Sequence, residues 1–414
     1  MKTVGALLTL LLAAGPAWAA KPSMPSDSAV PAAGHSAAGT AREENGPRAD
    51  DPVRWEVAAM VDLFYDLRIA EGLAAAKKLE DRHPEHPAGP FFQGIAYYQR
   101  ILVETPISTA SVRAFEERMA RAAKLAGRAP ADAPAWREYY LGAAYGFQAR
   151  VSSLRRDWVS AMRDARKAVG HVKKAVELDP DLEDAYLGLG MYHYFMARMP
   201  PTARPFAYLL MGLWGDREKG IAEMKRSAER GSVAVSEALA VLAFVDTIEG
   251  RGREADLGLE RLMKRHPHNP AFRLWRATLL QRAGHWKEAA ALADPGPWAG
   301  EVDPAARETS RAVGHYIAAE AFLMLRDASG AAAHLEALER LSVPERMRGW
   351  TALRRANLLD LQGRRADALA GYRALDGRLK PLARGFIAAP FPEGPKDLLR
   401  LRWPLNGLPS DDTQ

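Results

Sequence analysis

From Asp51 onward, apolar residues recur at the three- and four-residue spacing of amphipathic α-helices, and almost no stretch alternates as a β-strand does. A clear example spans residues 237–265 and ends just before Pro267. Shifting it by 34 residues again places apolar residues on apolar residues, so the chain has an internal period. The period predicts an all-α protein of eight helix pairs, which begin near residues 53, 87, 135, 183, 236, 270, 312 and 349.

Small and large residues hold fixed places within this period. Leu141-Gly142 is followed by Tyr145, and the same unit closes with Ala168, Ala175 and Pro180. This stretch resembles the tetratricopeptide (TPR) repeat, whose consensus has a small residue at position 8, a large one at 11, Ala at 20 and Pro at 32. The resemblance extends over residues 53–402. It implies an α-solenoid of about eight TPR-like helix pairs that form a right-handed superhelix.

The central repeats depart from the family pattern. Tyr145 and Ala168 are 23 residues apart and His193 and Gly220 are 27 apart, where the consensus has nine. The extra length predicts longer helices or insertions in these repeats. Residues 183–275 also resemble, more weakly, TPR proteins of eukaryotic outer mitochondrial membranes.

The N-terminus has the features of a secretory signal peptide. Lys2 precedes a short apolar run, and Ala17-Trp18-Ala19 forms a cleavage site, which predicts a signal peptide over residues 1–19. Residues 20–52 are rich in Pro, Ala, Gly and Ser and predict a disordered tether. Residues 403–414 are expected to form a flexible tail. We therefore expect an exported protein, periplasmic or associated with the outer membrane of a Gram-negative bacterium.

Composition narrows the possible chemistry. The chain has 414 residues and no cysteine, which excludes a disulfide, a thiol nucleophile and a Cys-ligated metal. The formal charge of +6 is uneven, since residues 340–402 carry a net +8 and residues 150–174 a net +6. Such charge suits either an anionic partner or a solvated helix face. Export argues against a nucleic-acid partner.

The family resemblance also implies where a partner binds. In TPR proteins the first helix of each pair lines a concave groove that grips a peptide or a partner helix. Arg354 and Asn357 fall where some family members keep a carboxylate clamp, although the companion positions do not match. The opposing interpretation is core packing, and the groove hypothesis fails if Trp136, Tyr139 and Tyr194 are fully buried. The predicted groove residues are Phe64, Phe91, Tyr98, Trp136, Tyr139, Tyr194, Arg282, Arg354 and Asn357.

The segment Met199–Trp214 combines three prolines with an apolar run. It predicts a flap over the groove, a peripheral membrane contact through residues 205–214, or a plug inside the superhelix. The pairs His83/His86 and His266/His268 have metal-ligand spacing, but both lie at equivalent repeat junctions, which favours a structural role. We expect no metal and no cofactor.

These observations favour a non-catalytic scaffold or adaptor of the cell envelope that binds a protein or peptide partner. The sequence contains no motif of a metalloprotease, a P-loop, a serine hydrolase or a dinucleotide-binding fold. The alternative is a carbohydrate-active or sugar-binding α/α-toroid. A toroid enzyme needs converging carboxylates in a cleft, and a 34-residue period does not suit that fold. Lipid or small-ligand binding forms a third class.

Overall fold

Helices account for nearly all regular structure in the described parts of the chain. The computed structural model describes residues 53–103, 108–128, 134–198, 215–295, 302–341, 343 and 345–393. These ranges contain no strand and one short 3₁₀ helix at Gly377–Leu379. The α-helices are α1 (Arg54–Tyr65), α2 (Ile69–Arg82), α3 (Ala88–Val103), α4 (Thr109–Arg128), α5 (Pro134–Leu154), α6 (Trp158–Leu178), α7 (Ala185–Ala197), α8 (Arg217–Arg230), α9 (Val235–Ile248), α10 (Gly252–Arg265), α11 (Pro270–Arg282), α12 (Trp286–Ala293), α13 (Pro304–Met324), α14 (Ala328–Glu339), α15 (Glu345–Leu361), α16 (Arg365–Arg373) and α17 (Lys380–Ala388).

The prediction of an all-α protein is confirmed for the described ranges. The expected signal peptide (1–19), tether (20–52), tail (403–414) and membrane-contacting segment (205–214) lie outside them. The odd-numbered helices α1 to α15 begin close to the eight expected positions. The largest difference is at α13, which begins at Pro304 and not near residue 312. None of the described helices has the length and apolarity needed to cross a membrane.

Each helix packs against the next one along the chain. Contacts also join α3 to α5, α5 to α7, α11 to α13 and α13 to α15, so alternate helices lie side by side. Helices α5 and α6 have 21 residues each, which accounts for the long spacing between Tyr145 and Ala168. In that repeat the extra residues lengthen the two helices.

The turn inside six of the helix pairs has one geometry. An amide donates to the carbonyl five residues earlier, as from Arg68 to Leu63 and from Arg251 to Asp246. The residue before the donor has positive φ, which defines a Schellman ending. Glycine occupies that position in three pairs, while Leu67, Arg156 and Arg326 adopt φ near 60° without it. The repetition seen in the sequence is thus present in the backbone as well.

Glycines allow the two helices of a pair to approach closely. A Cβ atom on Gly190 in α7 would lie 2.6 Å from the Gly220 carbonyl oxygen in α8, and the reverse distance is also 2.6 Å. A Cβ atom on Gly142 would lie 2.6 Å from the Val172 side chain. These helices therefore pack backbone against backbone.

The first helix also contacts parts of the chain far away in sequence. The Arg54 guanidinium donates to the Ser232 hydroxyl at 2.8 Å, and the Asn269 amide donates to the Tyr65 carbonyl at 2.5 Å. The Asp303 amide donates to the Leu67 carbonyl at 2.8 Å. The chain therefore curves until α1 meets the region between α8 and α13. We call these bonds the closure contacts.

Candidate functional site

The aromatic residues of the predicted groove lie in the interior. Phe64, Phe91, Tyr98, Trp136 and Tyr194 are buried, and Tyr139 is partly exposed. Their rings pack on other aromatic rings, with Phe91 edge-on to both Tyr140 and Phe147. Two of the three residues named as indicators of core packing are thus buried. The five buried side chains contribute to packing, and a partner would reach them only if helices separated, whereas Tyr139 is partly accessible.

A polar group lies at the centre of these aromatic side chains. Arg150 in α5 pairs with Glu237 in α9 at 2.7 Å, and the Tyr65 hydroxyl donates to the other Glu237 oxygen at 2.5 Å. The Arg150 guanidinium also lies 4.5 Å from the centre of the Phe147 ring. We call Arg150 and Glu237 the central ion pair. Its neighbours Tyr65, Tyr98 and Met191 come from α1, α3 and α7, which are also first helices of their pairs.

Burial controls the ionisation of this group. It raises the pKa of Tyr65 well above its ordinary value, and the Glu237 carboxylate adds to the effect, so Tyr65 is a neutral donor. Burial opposes the charge of Arg150, but the attraction of Glu237 outweighs it and raises the pKa. The carboxylate is therefore fully engaged by a cation and a hydroxyl. These contacts connect α1, α5 and α9. Both Glu237 oxygens are already bound, so the carboxylate is not free to act as a catalytic base.

The Glu249 carboxylate binds residues that precede and follow the segment 199–214 in the sequence. It accepts from the Tyr194 hydroxyl at 2.5 Å and from Arg198 at 2.7 Å, and it also pairs with Arg217. Burial alone would raise the pKa of Glu249, but hydrogen bonds from Arg217 and Tyr194 outweigh it and lower the pKa. The segment between the two arginines lies outside the described residues. The described residues Arg198 and Arg217, on its two sides in the sequence, nevertheless bind the same carboxylate.

Arg354 and Asn357 belong to a buried network in the last helix pair. Arg354 donates to Asn357 at 3.2 Å and pairs with Glu320, and both Arg354 and Asn357 are buried. The Asn357 amide donates to the Tyr372 hydroxyl at 2.8 Å, which in turn donates to Asp360 at 2.9 Å. The two expected clamp residues therefore bind internal partners.

Several basic residues of the C-terminal region are likewise balanced by carboxylates. These pairs join Arg355 to Glu339, Arg364 to Asp367 and Arg365 to Asp360. The net charge of residues 340–402 already includes Asp360 and Asp367, so of these three pairs only Arg355–Glu339 neutralises a cation beyond that sum.

Arg282 differs from the other predicted groove residues. It lies in the last turn of α11, is exposed, and has no hydrogen bond or ion pair to any described residue. Partial burial among protein atoms nevertheless lowers its pKa. Arg282 is thus exposed on one side and crowded by protein atoms on the other. Its neighbour Gln281 is buried and donates to the Ile317 carbonyl at 3.0 Å, which fastens the end of α11 to α13.

The junction histidines occupy structural positions. His266 is buried, its Nε2 lies 2.7 Å from the Ser236 hydroxyl, and its ring stacks on Tyr65 with centroids 5.2 Å apart. His83 is partly exposed, 3.8 Å from Glu56. Within the described ranges, no group of three or more His, Asp or Glu side chains is placed to hold a metal ion.

Sequence reasoning missed one surface feature. A cavity of about 690 Å³ lies along one face of α6, where the strongly exposed Val159 stands among cationic side chains. The charge of residues 150–174 was visible in the sequence. The exposure of an apolar side chain beside it was hidden, because Val159 fits an ordinary helical pattern. The residues lining the cavity are Trp158, Val159, Met162, Arg163, Arg166 and Lys167.

Comparison of the sequence with models of known protein families gives no match, and comparison with curated proteins gives none either. In the described part of the chain, two exposed features stand out, the unpaired Arg282 and the face of α6.

Proposed function

We propose that the protein is an exported, non-catalytic scaffold of the cell envelope that binds a protein or peptide partner. Its helix pairs would form a TPR-like α-solenoid with a right-handed superhelix. Support comes from the Schellman turn repeated in six pairs and from the close glycine contacts inside pairs. Contacts between alternate helices agree with the stacking of neighbouring repeats. The predicted secretory signal supports a periplasmic or outer-membrane-associated location.

The unpaired Arg282 is the observation that carries the binding proposal. A partly desolvated guanidinium without a counter-ion gains stability when a carboxylate approaches it. Partial desolvation of Arg282 also strengthens a charged hydrogen bond to it. The partner segment is therefore an acidic peptide that places an Asp, Glu or C-terminal carboxylate on Arg282.

Selection from a random peptide library, displayed on phage, tests this proposal with the full chain as bait. We expect acidic peptides to be enriched. In fluorescence anisotropy, Arg282→Glu should raise the Kd of a selected peptide at least about tenfold, because it replaces attraction by repulsion. Arg261→Glu is the matched control, since Arg261 is exposed in α10, and its Kd should stay within about twofold. Failure to select any peptide, or equal Kd values for both variants, would contradict the proposal.

One observation favours a second candidate, the sugar-binding or carbohydrate-active α/α-toroid. The closure contacts bring α1 to Asn269 and Asp303, as ring closure requires. The central ion pair lies among these helices, however, and the Glu237 carboxylate is already bound by Arg150 and Tyr65. Binding of the full chain to a glycan microarray would favour the toroid, and the absence of any bound glycan would count against it.

A further inference from the structure

One face of α6 combines apolar and cationic side chains over three turns. At 100° per residue, these side chains cover one half of the helix circumference. The opposite half packs on α5 through small residues, with Ala161 fully buried. We define the α6 face as Trp158, Val159, Met162, Arg163, Arg166 and Lys167.

The apolar part of the α6 face is unusually open. Val159 is 81% exposed, the highest value among the strongly exposed large apolar residues of the described chain. Trp158 and Met162 are partly buried against the alanine cluster and form the adjoining floor of the cavity. An exposed valine beside a tryptophan and a methionine is an apolar edge of the kind that interaction surfaces have.

The cationic part has more positive charge than its surroundings neutralise. Arg163 pairs with Asp164 at 3.0 Å, and the Lys167 ammonium lies 4.7 Å from the centre of the Tyr145 ring. Arg166 is exposed and has no partner among the described residues. Elsewhere in residues 150–174, Arg150, Arg155 and Lys174 pair with glutamates outside α6, so the positive charge left without a counter-ion is concentrated at the α6 face. Cations that flank an exposed apolar edge match the headgroup region of an anionic membrane better than a single carboxylate.

We propose that the α6 face binds the surface of a membrane that contains anionic phospholipids. Val159, with Trp158 and Met162 beside it, enters the boundary between headgroups and acyl chains. Arg166 and Lys167 contact the lipid phosphates. The combination is required because apolar insertion alone is weak for three side chains, and electrostatic attraction alone leaves Val159 in water.

The absence of cysteine permits a direct test on the full chain. Val159→Cys, labelled with an environment-sensitive fluorophore, introduces a single reporter at the α6 face. We expect a blue shift with phosphatidylcholine vesicles in which about one third of the lipid is phosphatidylglycerol, and none with phosphatidylcholine alone. Leu257→Cys is the matched control, because Leu257 is an exposed apolar residue, 51% exposed, on α10. Its label should keep the same spectrum with both vesicles.

A second pair of variants tests the charge without altering the apolar edge. Arg166→Glu should lower the apparent affinity for the anionic vesicles at least about tenfold, and added salt should lower it further. Arg261→Glu makes the same charge change on α10 and should stay within about twofold. Circular dichroism verifies that each variant is folded. No blue shift on Val159→Cys, equal binding to uncharged vesicles, or equal loss in both charge variants would overturn the proposal.

Discussion

His266 is a fully buried ionisable side chain. Its Nδ1 has no hydrogen-bond partner, and burial lowers its pKa to about 4. The charged groups facing it are Asp62 at 4.0 Å and Asp66 at 3.7 Å, together with the adjacent Arg265. Burial also raises the pKa of Asp66, so its carboxylate takes up a proton more readily than an exposed aspartate does. The contact between α1 and the α10–α11 junction is therefore built on a neutral imidazole.

This neutral imidazole predicts a loss of stability in mild acid. In the unfolded chain a histidine takes up a proton near pH 6.5, whereas folded His266 does so near pH 4. Between these values the unfolded state binds more protons, so the free energy of unfolding falls as the pH is lowered from 7 to 5. His266→Phe, which keeps an aromatic ring, should remove about 1–2 kcal/mol of this loss.

Urea unfolding at pH 7 and pH 5 measures the effect. The control is His285→Phe at an exposed histidine, which should retain the pH dependence of the parent protein. An equal loss of stability in the parent and His266→Phe would show that other groups cause it.

At the scale of helices, the glycine contact between α7 and α8 predicts a sharp response to one methyl group. In Gly190→Ala the new Cβ would lie 2.6 Å from the Gly220 carbonyl oxygen, and a backbone atom cannot rotate away as a side chain can. The two helices must separate, at a cost of about 1–3 kcal/mol in the free energy of unfolding.

Gly170→Ala provides the contrast in the same measurement, chemical denaturation at neutral pH. Gly170 is exposed in the middle of α6, and a Cβ atom there would meet no atom within 4 Å beyond its own stretch of helix. Alanine there should stabilise the protein by about 0.5–1 kcal/mol, because it reduces the entropy of the unfolded chain. Destabilisation of similar size at both glycines would argue against the close approach of α7 and α8.

The helices themselves were predictable because the apolar periodicity and the residues that begin or end a helix are local features of the sequence. Pro270 begins α11 and Gly284 ends it, and both are visible in the sequence. The Schellman turns at Leu67 and Arg156 could not be predicted, because leucine and arginine rarely adopt the positive φ that these turns require. The start of α13 was misjudged because the polar residues before Ala312 mask its first two turns.

At the scale of the whole molecule, the central ion pair predicts a strongly coupled pair of substitutions. Glu237→Leu leaves Arg150 buried without a counter-ion, whereas Arg150→Met leaves the partly exposed Glu237 without its cation. Glu237→Leu should lose about 3–5 kcal/mol of the free energy of unfolding and Arg150→Met less, and the double variant should lose less than the sum of the two. Urea midpoints of the four proteins give the coupling energy. Additive losses would show that the pair acts as two independent residues.

The location of the predicted groove residues depends on such distant contacts. The helical periodicity correctly placed Tyr98 and Tyr194 on first helices of pairs. It does not predict which residues, 87 or more positions away in the sequence, pack against those helices. Arg150 and Glu237 are separated by that distance, and their pairing follows from the curvature of the entire stack. Arg282 is exposed because it lies in the last turn of α11.

The closure contacts also set an order of events in time. The Leu67 carbonyl receives its bond from the Asp303 amide, and 236 residues separate the two in the chain. At about 5–20 residues per second, a ribosome completes Asp303 roughly 10–50 s after Leu67. Helix formation takes far less than a second, but a helix of 12 residues is only marginally stable by itself. Among the described helices, α1 is thus the first to be synthesised and one of the last to complete its tertiary contacts, and its apolar side is open to chaperones throughout that interval.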